Sequence, residues 1–223
     1  MSEVNAKYRL RFEKTGRAVY ISHLDLMQTM QRAFSRAGYS LKYSEGFNPH
    51  PQISVVLPLS VGAGSLCELM DFRLAEEADL RAMPAKLTAA LPEGVTVTAA
   101  YEAERKGALI KWLRVEGVFE YDEREAQQMA EGLTVFYAAD SLVIEKKTKR
   151  GLGQMDIRPA IREIAFKPED SLVRVSALIS AQEPTLNPDL LSDALRQLRP
   201  ELAPDFASFT RLETYDEGME VFR

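Results

Sequence analysis

The chain has a single cysteine, Cys67, and only two histidines, His23 and His50, among 223 residues. One thiol excludes an intrachain disulfide framework, a four-thiolate zinc site and a cysteine-ligated iron–sulfur cluster. Long apolar runs are missing too: no window approaches the roughly 18 continuous apolar residues that a membrane-spanning helix needs. The opening Met1-Ser-Glu-Val-Asn5 lacks the charged-then-apolar order of a secretory signal, so the expected location is cytoplasmic, with no membrane partner. Gly62-Ala-Gly64 is not followed by the Lys-Ser/Thr ending of a phosphate-binding loop, and no dinucleotide-binding glycine fingerprint occurs. The net charge of -5 argues against a wholly basic nucleic-acid coat but leaves room for a local basic face. The residues specify no cofactor.

What is present is an ordinary globular composition, 46% apolar and 27% charged, long enough for one large core or two small ones. Tyr8, Leu10 and Phe12 alternate with Arg9 and Arg11, which predicts a half-buried strand with its charges outward. A helix follows, capped by Ser22 with Asp25 at the reciprocal position and Ile21 stapling against Leu26. Its expected buried stripe is Ile21, Leu24, Met27, Met30, Phe34 and Ala37, and Gly38 stops it. Strands are expected at Tyr39–Tyr43, Ile53–Leu57, Leu66–Leu74 and Val95–Thr98. A helix is expected over residues 76–90, starting late or kinked because of Pro84.

After a charged linker near Glu102–Gly107 the rhythm returns. Leu109–Tyr121 reads as a strand, Glu123–Gly132 as a helix running toward Ala139, and Leu142–Glu145 as a strand entering a basic turn. Leu172–Ser180 alternates as a strand, Leu190–Leu198 is helical after Asn187-Pro-Asp189, and Phe209–Tyr215 closes the series. This is an α+β plan of two tandem ferredoxin-like βαββαβ domains, residues 1–103 and 104–223.

Chemistry concentrates in the first domain. Tyr43-Ser-Glu-Gly-Phe-Asn-Pro-His-Pro51 combines a glycine free to take positive φ with two prolines, a compact loop costlier than a plain connection requires. With Tyr20-Ile-Ser-His-Leu-Asp25 upstream, it offers His23, Asp25, Tyr43, Glu45, Asn48 and His50 as ligand-binding candidates. His23 stands in the first turn of its helix, where amide donors and the helix field favour an anion, or where it makes a local hydrogen bond. His50 holds the loop or binds a substrate or partner. His23 and His50 with Asp25 or Glu45 could ligate one metal, but the spacing matches no standard metal motif, and no metal is assigned. Tyr20, Tyr43 and Phe47 offer stacking surfaces, with core filling the plainer role for Phe47, as it is for Trp112 and Cys67.

Two basic series are candidates for phosphate contact. Arg9, Arg11, Lys14 and Arg17, with Lys42, surround the first strand. Lys146, Lys147, Lys149 and Arg150 crowd one turn ahead of Gly151-Leu-Gly153, with Arg158 and Arg162 beyond. Hairpin tips reach past a sheet and suit phosphate, although a solvated face or a solubilising loop explains the same residues. Asp156 and Arg158 share strand parity and are expected to pair beside Pro159.

The segments Tyr20–Asp25 and Tyr43–Pro51, with Leu57-Pro-Leu59 and Asp156-Ile-Arg-Pro159, resemble the bacterial radical SAM-linked protein family over nearly the whole chain. The resemblance implies association with a radical SAM enzyme, often one with a cobalamin-binding region. It does not imply possession of that chemistry, since the Cys-x3-Cys-x2-Cys set is lacking. At fold level the chain also resembles duplicated ferredoxin-like RNA-processing and pseudouridine-forming proteins. The leading expectation is a non-catalytic RNA-binding or substrate-presenting partner of a radical SAM modifying enzyme. The alternatives are a protein-only adaptor for such an enzyme, and an RNA-processing or modifying enzyme using His23 and His50 with Asp25. A homodimer through a sheet edge stays open.

Overall fold

The computed structural model describes residues 6–148 and 151–223, and the side chains of Lys147 and Thr148 are outside the described set. The fold is mixed α+β. It divides into two compact units, one running to Leu109 and taking in Arg223, the other Ile110–Phe222.

The first unit runs β1 (Tyr8–Lys14), α1 (His23–Arg36), β2 (Ile53–Val55), β3 (Gly64–Phe72), α2 (Met83–Ala90) and β4 (Val95–Glu102). All pairings are antiparallel, and the strand order is β4-β1-β3-β2. Period-two alternation sends Tyr8, Leu10 and Phe12 of β1 and Met70 and Phe72 of β3 to one face. There they meet Leu26, Met30, Ala33 and Phe34 of α1 and Met83 and Leu87 of α2. Phe34 and Phe72 lie 5.0 Å apart between ring centres at the middle of this core.

The α1 stripe differs from expectation at one position. Leu26 is buried while Leu24 is 72% exposed, because the cap at Ser22 sets the helical phase and turns the first residues outward. The helix expected over 76–90 is regular only from Met83, with Pro84 in its first turn, where a missing amide donor costs nothing. Tyr39–Tyr43 makes only isolated bridges, Leu41 to Leu74 and Tyr43 to Pro51, in place of a strand. At the foot of β4, Gly94 has φ +86, and a Cβ there would sit 2.4 Å from the Thr15 carbonyl oxygen. Only glycine fits that corner.

The second unit runs β5 (Trp112–Glu120), α3 (Ala126–Tyr137), β6 (Val143–Thr148), β7 (Gly151–Asp156), β8 (Ile161–Glu169), β9 (Leu172–Ser180), α4 (Asp189–Leu198) and β10 (Phe206–Tyr215). Its sheet order is β10-β5-β9-β8, again antiparallel, while β6 and β7 form a separate two-stranded ribbon. Strand β5 starts later than expected because Gly107–Leu109 is a 3-10 turn. β7 and β8 are additional to the elements expected from sequence. Leu133, Phe136 and Tyr137 of α3 and Leu191 and Leu195 of α4 are buried with Phe119, Val173, Val175 and Ala177 of the sheet. Trp112 is only partly buried, its ring covered by the Arg162 guanidinium at 5.3 Å.

Candidate functional site

In the first unit the segment between α1 and β2 forms a closed loop on a double stem. The Ser44 amide donates to the His50 carbonyl at 2.9 Å, and the His50 amide returns to Ser44 Oγ at 3.1 Å. Ser44 Oγ and His50 Nδ1 are 2.9 Å apart. Gln52 Nε2 donates to the Tyr43 carbonyl, and the Gln52 amide donates to the Lys42 carbonyl. Gly46 turns the loop at φ +112. Glu45, Asn48 and His50 are exposed, Tyr43 is largely so, and Phe47 is fully exposed at the tip. Phe47 therefore does not fill a core. A short, backbone-tied loop holds its ring in water.

Ser22 caps α1 by accepting from the Asp25 amide at 3.2 Å and donating to Asp25 Oδ2 at 2.7 Å. Asp25 is thereby engaged in the cap, while His23 stands exposed at the first helical position. Tyr20 and Leu24 are exposed beside it. The Gly62 amide donates to the Val19 carbonyl at 2.9 Å, which brings exposed Val61 to the same corner. Among the described residues no group of three His, Cys, Asp or Glu side chains is placed to hold a metal.

The basic series on β1 is not a solvated face. Arg9 is fully buried, its Nε 2.6 Å and one terminal nitrogen 3.1 Å from the two Asp71 oxygens, and it donates as well to the Arg105 carbonyl. Lys7 reaches the same carboxylate at 2.5 Å. Lys14 is also buried and donates to the Val19 carbonyl at 3.0 Å. Desolvation lowers the Lys14 pKa, with Glu68 partly opposing it. Strand alternation was read correctly, but the side opposite the helix core is itself covered: residues 103–107 fold back through the Arg105 carbonyl and pack Gly107 against Val56. Arg11 and Lys42 are partly buried, and Arg17 is exposed.

In the second unit the β6–β7 ribbon is mounted firmly at its base. Leu142 and Ile144 are buried, the Glu145 amide donates to Gln197 Oε1 at 2.7 Å, and Gln197 Nε2 donates to the Glu145 carbonyl at 3.0 Å. Asp156 Oδ1 accepts from the Leu142 amide at 2.8 Å and the Arg158 amide at 3.0 Å. Those two amides hold the Asp156 carboxyl below its ordinary pKa. The Arg158 guanidinium reaches the carbonyls of Ala139 and Ile161. The expected contact beside Pro159 thus runs mainly through backbone amides. Lys146 is partly exposed on β6 opposite Gly153. Lys149 and Arg150 lie outside the described residues, as does the Lys147 side chain. Arg162 is exposed and engaged over Trp112.

No residue pattern in the sequence announced the Arg9–Asp71 pair or the Gln197 clamp on the ribbon. Both join residues far apart in the chain, and only strand register or helix docking brings them together.

No helix among the described residues is long and apolar enough to cross a membrane. No curated protein matches the chain. Among solved structures, one chain of a Cbf5-Nop10-Gar1 complex is similar in fold at 9% identity and a TM-score of 0.50, covering 94% of this chain and 50% of its own. This protein thus spans about half the length of that chain. An unknown protein from Galdieria sulphuraria aligns at 10% identity with a TM-score of 0.27, over 92% of this chain and 98% of its own. At residues 7–188 the chain matches the family model described as "Uncharacterized protein conserved in bacteria (DUF2344)", and it belongs to that family.

Proposed function

We propose that this protein is a non-catalytic RNA-recognition or substrate-presenting module that works with a radical SAM modifying enzyme in the cytoplasm. The observation that carries the reading is Phe47, an aromatic ring held fully exposed on a loop whose base is tied by Ser44 and His50. Every base has a π-face, and stacking on an aromatic is worth about 1–3 kcal/mol per base. Holding the ring out in water before binding lowers the ordering cost of such a contact. Tyr43, Glu45, Asn48 and His50 are exposed hydrogen-bonding groups on the same loop, and His23 offers another at the α1 start. In the second unit, a ribbon clamped by Gln197 and carrying Lys146 and Lys147 suits backbone phosphate.

The fold reading behind this is two ferredoxin-like βαββαβ domains. It is supported by the element order of the first unit and by the matching orders β4-β1-β3-β2 and β10-β5-β9-β8, with the ribbon inserted in the second. The partner comes from the family resemblance. A substrate-presenting role accommodates a chain that lacks the cluster-binding cysteines itself.

A fluorescent single-stranded RNA titrated into the purified chain tests the reading. Binding should weaken as salt rises, should fall with Phe47→Ala, and should leave the RNA unmodified. No binding at low salt sinks it.

Exposed Tyr20, Leu24 and Val61 favour a second reading, a protein-only adaptor docking through this apolar corner. A complex with a radical SAM enzyme that is free of RNA and stable in high salt would select it.

A further inference from the structure

We propose that β8, the edge strand of the second unit, accepts the C-terminal end of a partner polypeptide as an added antiparallel strand. β8 lies at one end of the order β10-β5-β9-β8, and no strand among the described residues pairs with its outer side. Its turn decides which backbone groups face outward. Asp170 and Ser171 alone separate β8 from β9, with Glu169 opposite Leu172. In a two-residue hairpin that closing pair is hydrogen-bonded, and the register is unbroken from Glu169 back to Glu163. Lys167, Ala165 and Glu163 therefore bond inward to β9. Ile164, Phe166 and Pro168 turn their backbone groups outward, where a residue without an amide belongs in a sheet. The outward amides and carbonyls of Ile164 and Phe166 meet no partner among the described residues.

Period two sends the side chains of Ile164 and Phe166 to the helix face, in register with buried Ala177 and Val175. Between β8 and α3 a groove of about 400 Å³ stays open, lined by Tyr137, Ile164 and Phe166 among others. The rings of Tyr137 and Phe166 stack there with centres 5.3 Å apart. The volume falls within the roughly 300–1,000 Å³ of ordinary ligand pockets. A strand laid along β8 would pair opposite Ile164 and Phe166, and its residues at those two places would drop their side chains into this groove. A main-chain ladder and a pocket for alternate side chains are the two components of strand-addition recognition. The window is short: a bulge at Arg162 breaks the register at one end, and Pro168 removes a donor at the other. That suits a peptide of a few residues. A second copy of β8 would bring its own bulge and proline to the same short stretch.

Most polar groups along the groove are committed. Thr134 donates to the Ala130 carbonyl at 2.8 Å, and Tyr137 donates to the Leu191 carbonyl. Arg162 lies over the Trp112 ring, and Glu163 pairs with Arg114 at 2.9 Å. Arg158 keeps a donor. Its Nε donates to the Ala139 carbonyl at 3.2 Å and its Nη1 to the Ile161 carbonyl at 2.8 Å, whereas Nη2 has no hydrogen bond among the described residues. Asp156 offsets part of the Arg158 charge but bonds to its backbone amide, not to its guanidinium. Arg158 thus offers a directed donor already fixed by two carbonyls, which suits one carboxylate. It stands just ahead of β8, and an antiparallel strand runs its C-terminus toward that end. The chain end of the added peptide therefore arrives at Arg158 with its carboxylate. This inference goes beyond the RNA-recognition reading and does not rest on it.

The test titrates the acetylated hexapeptide Ser-Val-Ser-Val-Ser-Val, and its one-step shift Val-Ser-Val-Ser-Val-Ser, into the full chain, each as free acid and as C-terminal amide. Hydrogen exchange should slow at the Ile164 and Phe166 amides and stay unchanged at Ala165 and Lys167, which already bond to β9. The free acid should bind tighter than the amide by about tenfold or more, the worth of one charge-assisted hydrogen bond. Arg158→Gln should erase that preference. The acid-to-amide comparison is made first in the unaltered chain, so it decides even if Arg158→Gln fails to fold. Methylating alternate peptide nitrogens separates strand addition from simple apolar binding: one set should abolish binding, and the other should be tolerated. Equal effects of the two sets, equal binding of acid and amide, or unslowed exchange at Ile164 and Phe166 overturns the assignment. So does a chain that sediments as a dimer with those two amides already protected, which gives the edge to a second copy. A single-stranded RNA that protects the same amides and displaces the peptide also overturns it, and gives the edge to nucleic acid.

Discussion

Ser44 and His50 hold each other through three contacts, with amide to carbonyl at 2.9 Å, amide to hydroxyl at 3.1 Å, and hydroxyl to ring nitrogen at 2.9 Å. Two of the three depend on the Ser44 hydroxyl. Ser44→Ala should therefore cost about 1 kcal/mol per lost bond at most, since the site is solvated. On the proposed recognition role the larger effect should be on binding, because a looser stem would have to be ordered for Phe47 to stack on a base. Urea unfolding beside RNA titration checks this. A variant with full RNA affinity would show that the stem does not organise the loop.

Phe47→Ala separates recognition from folding. The ring contacts solvent, so stability should stay within about 0.5 kcal/mol. RNA affinity should fall by about 1–3 kcal/mol, roughly five- to 150-fold. A marked drop in melting temperature would mean that the ring packs against the protein in solution.

Asp71→Ala should be among the most damaging single changes in the first unit. It leaves Arg9 buried without its carboxylate partner and removes the Lys7 contact. Breaking a buried pair from one side costs about 3–5 kcal/mol. Arg17→Ala, at an exposed position, should cost under about 0.5 kcal/mol. Chemical denaturation of the two variants compares them directly.

Tyr121 sets an alkaline limit. Burial raises its pKa from 10.0 to about 12, with Asp205 adding to the rise and Arg124 opposing it. Its hydroxyl donates to the Leu202 carbonyl at 3.0 Å. An acid whose folded pKa is raised stabilises the protein fully below its unfolded pKa, and that stability drains away as pH rises from 10.0 toward about 12. Tyr121→Phe should thus lose stability less steeply across that interval. Burial pushes Tyr137 up too, so the slope is reduced and not abolished. Denaturation midpoints measured from pH 9 upward (~half-unit steps) would show it, and parallel curves for the two proteins would refute the assignment.

Much of the architecture was legible because local pattern and final fold agree. Tyr8, Leu10 and Phe12 alternate as a strand, Ser22 and Asp25 announce a helix start, and Pro84 marks where α2 becomes regular. Strand β8 was not legible. Ile161–Glu169 contains Arg162, Glu163, Lys167, Pro168 and Glu169, and its strand form depends on pairing with β9. Leu24 and Leu26 are equally apolar, and only the helical phase decides which one faces the core.

The site was half legible for the same kind of reason. The Tyr43–Pro51 loop stands out through its glycine and prolines, which act locally. Arg9 does not, because alternation tells which side of a strand a residue takes and not what lies over that side. Its partner Asp71 is 62 residues away, and the Arg105 carbonyl that completes its surroundings comes from the far end of the unit.

The Phe47 loop and the β6–β7 ribbon occupy corresponding places in their units. Residues 37–52 join α1 to the edge strand β2, and residues 138–160 join α3 to the edge strand β8. That connection enters the sheet at its rim, where extra chain breaks no ladder. Length and chemistry can change there without disturbing the four-strand frame. The two units thus have the same strand order but differ at one interchangeable socket: an exposed aromatic on a tied loop in the first, a two-stranded ribbon in the second.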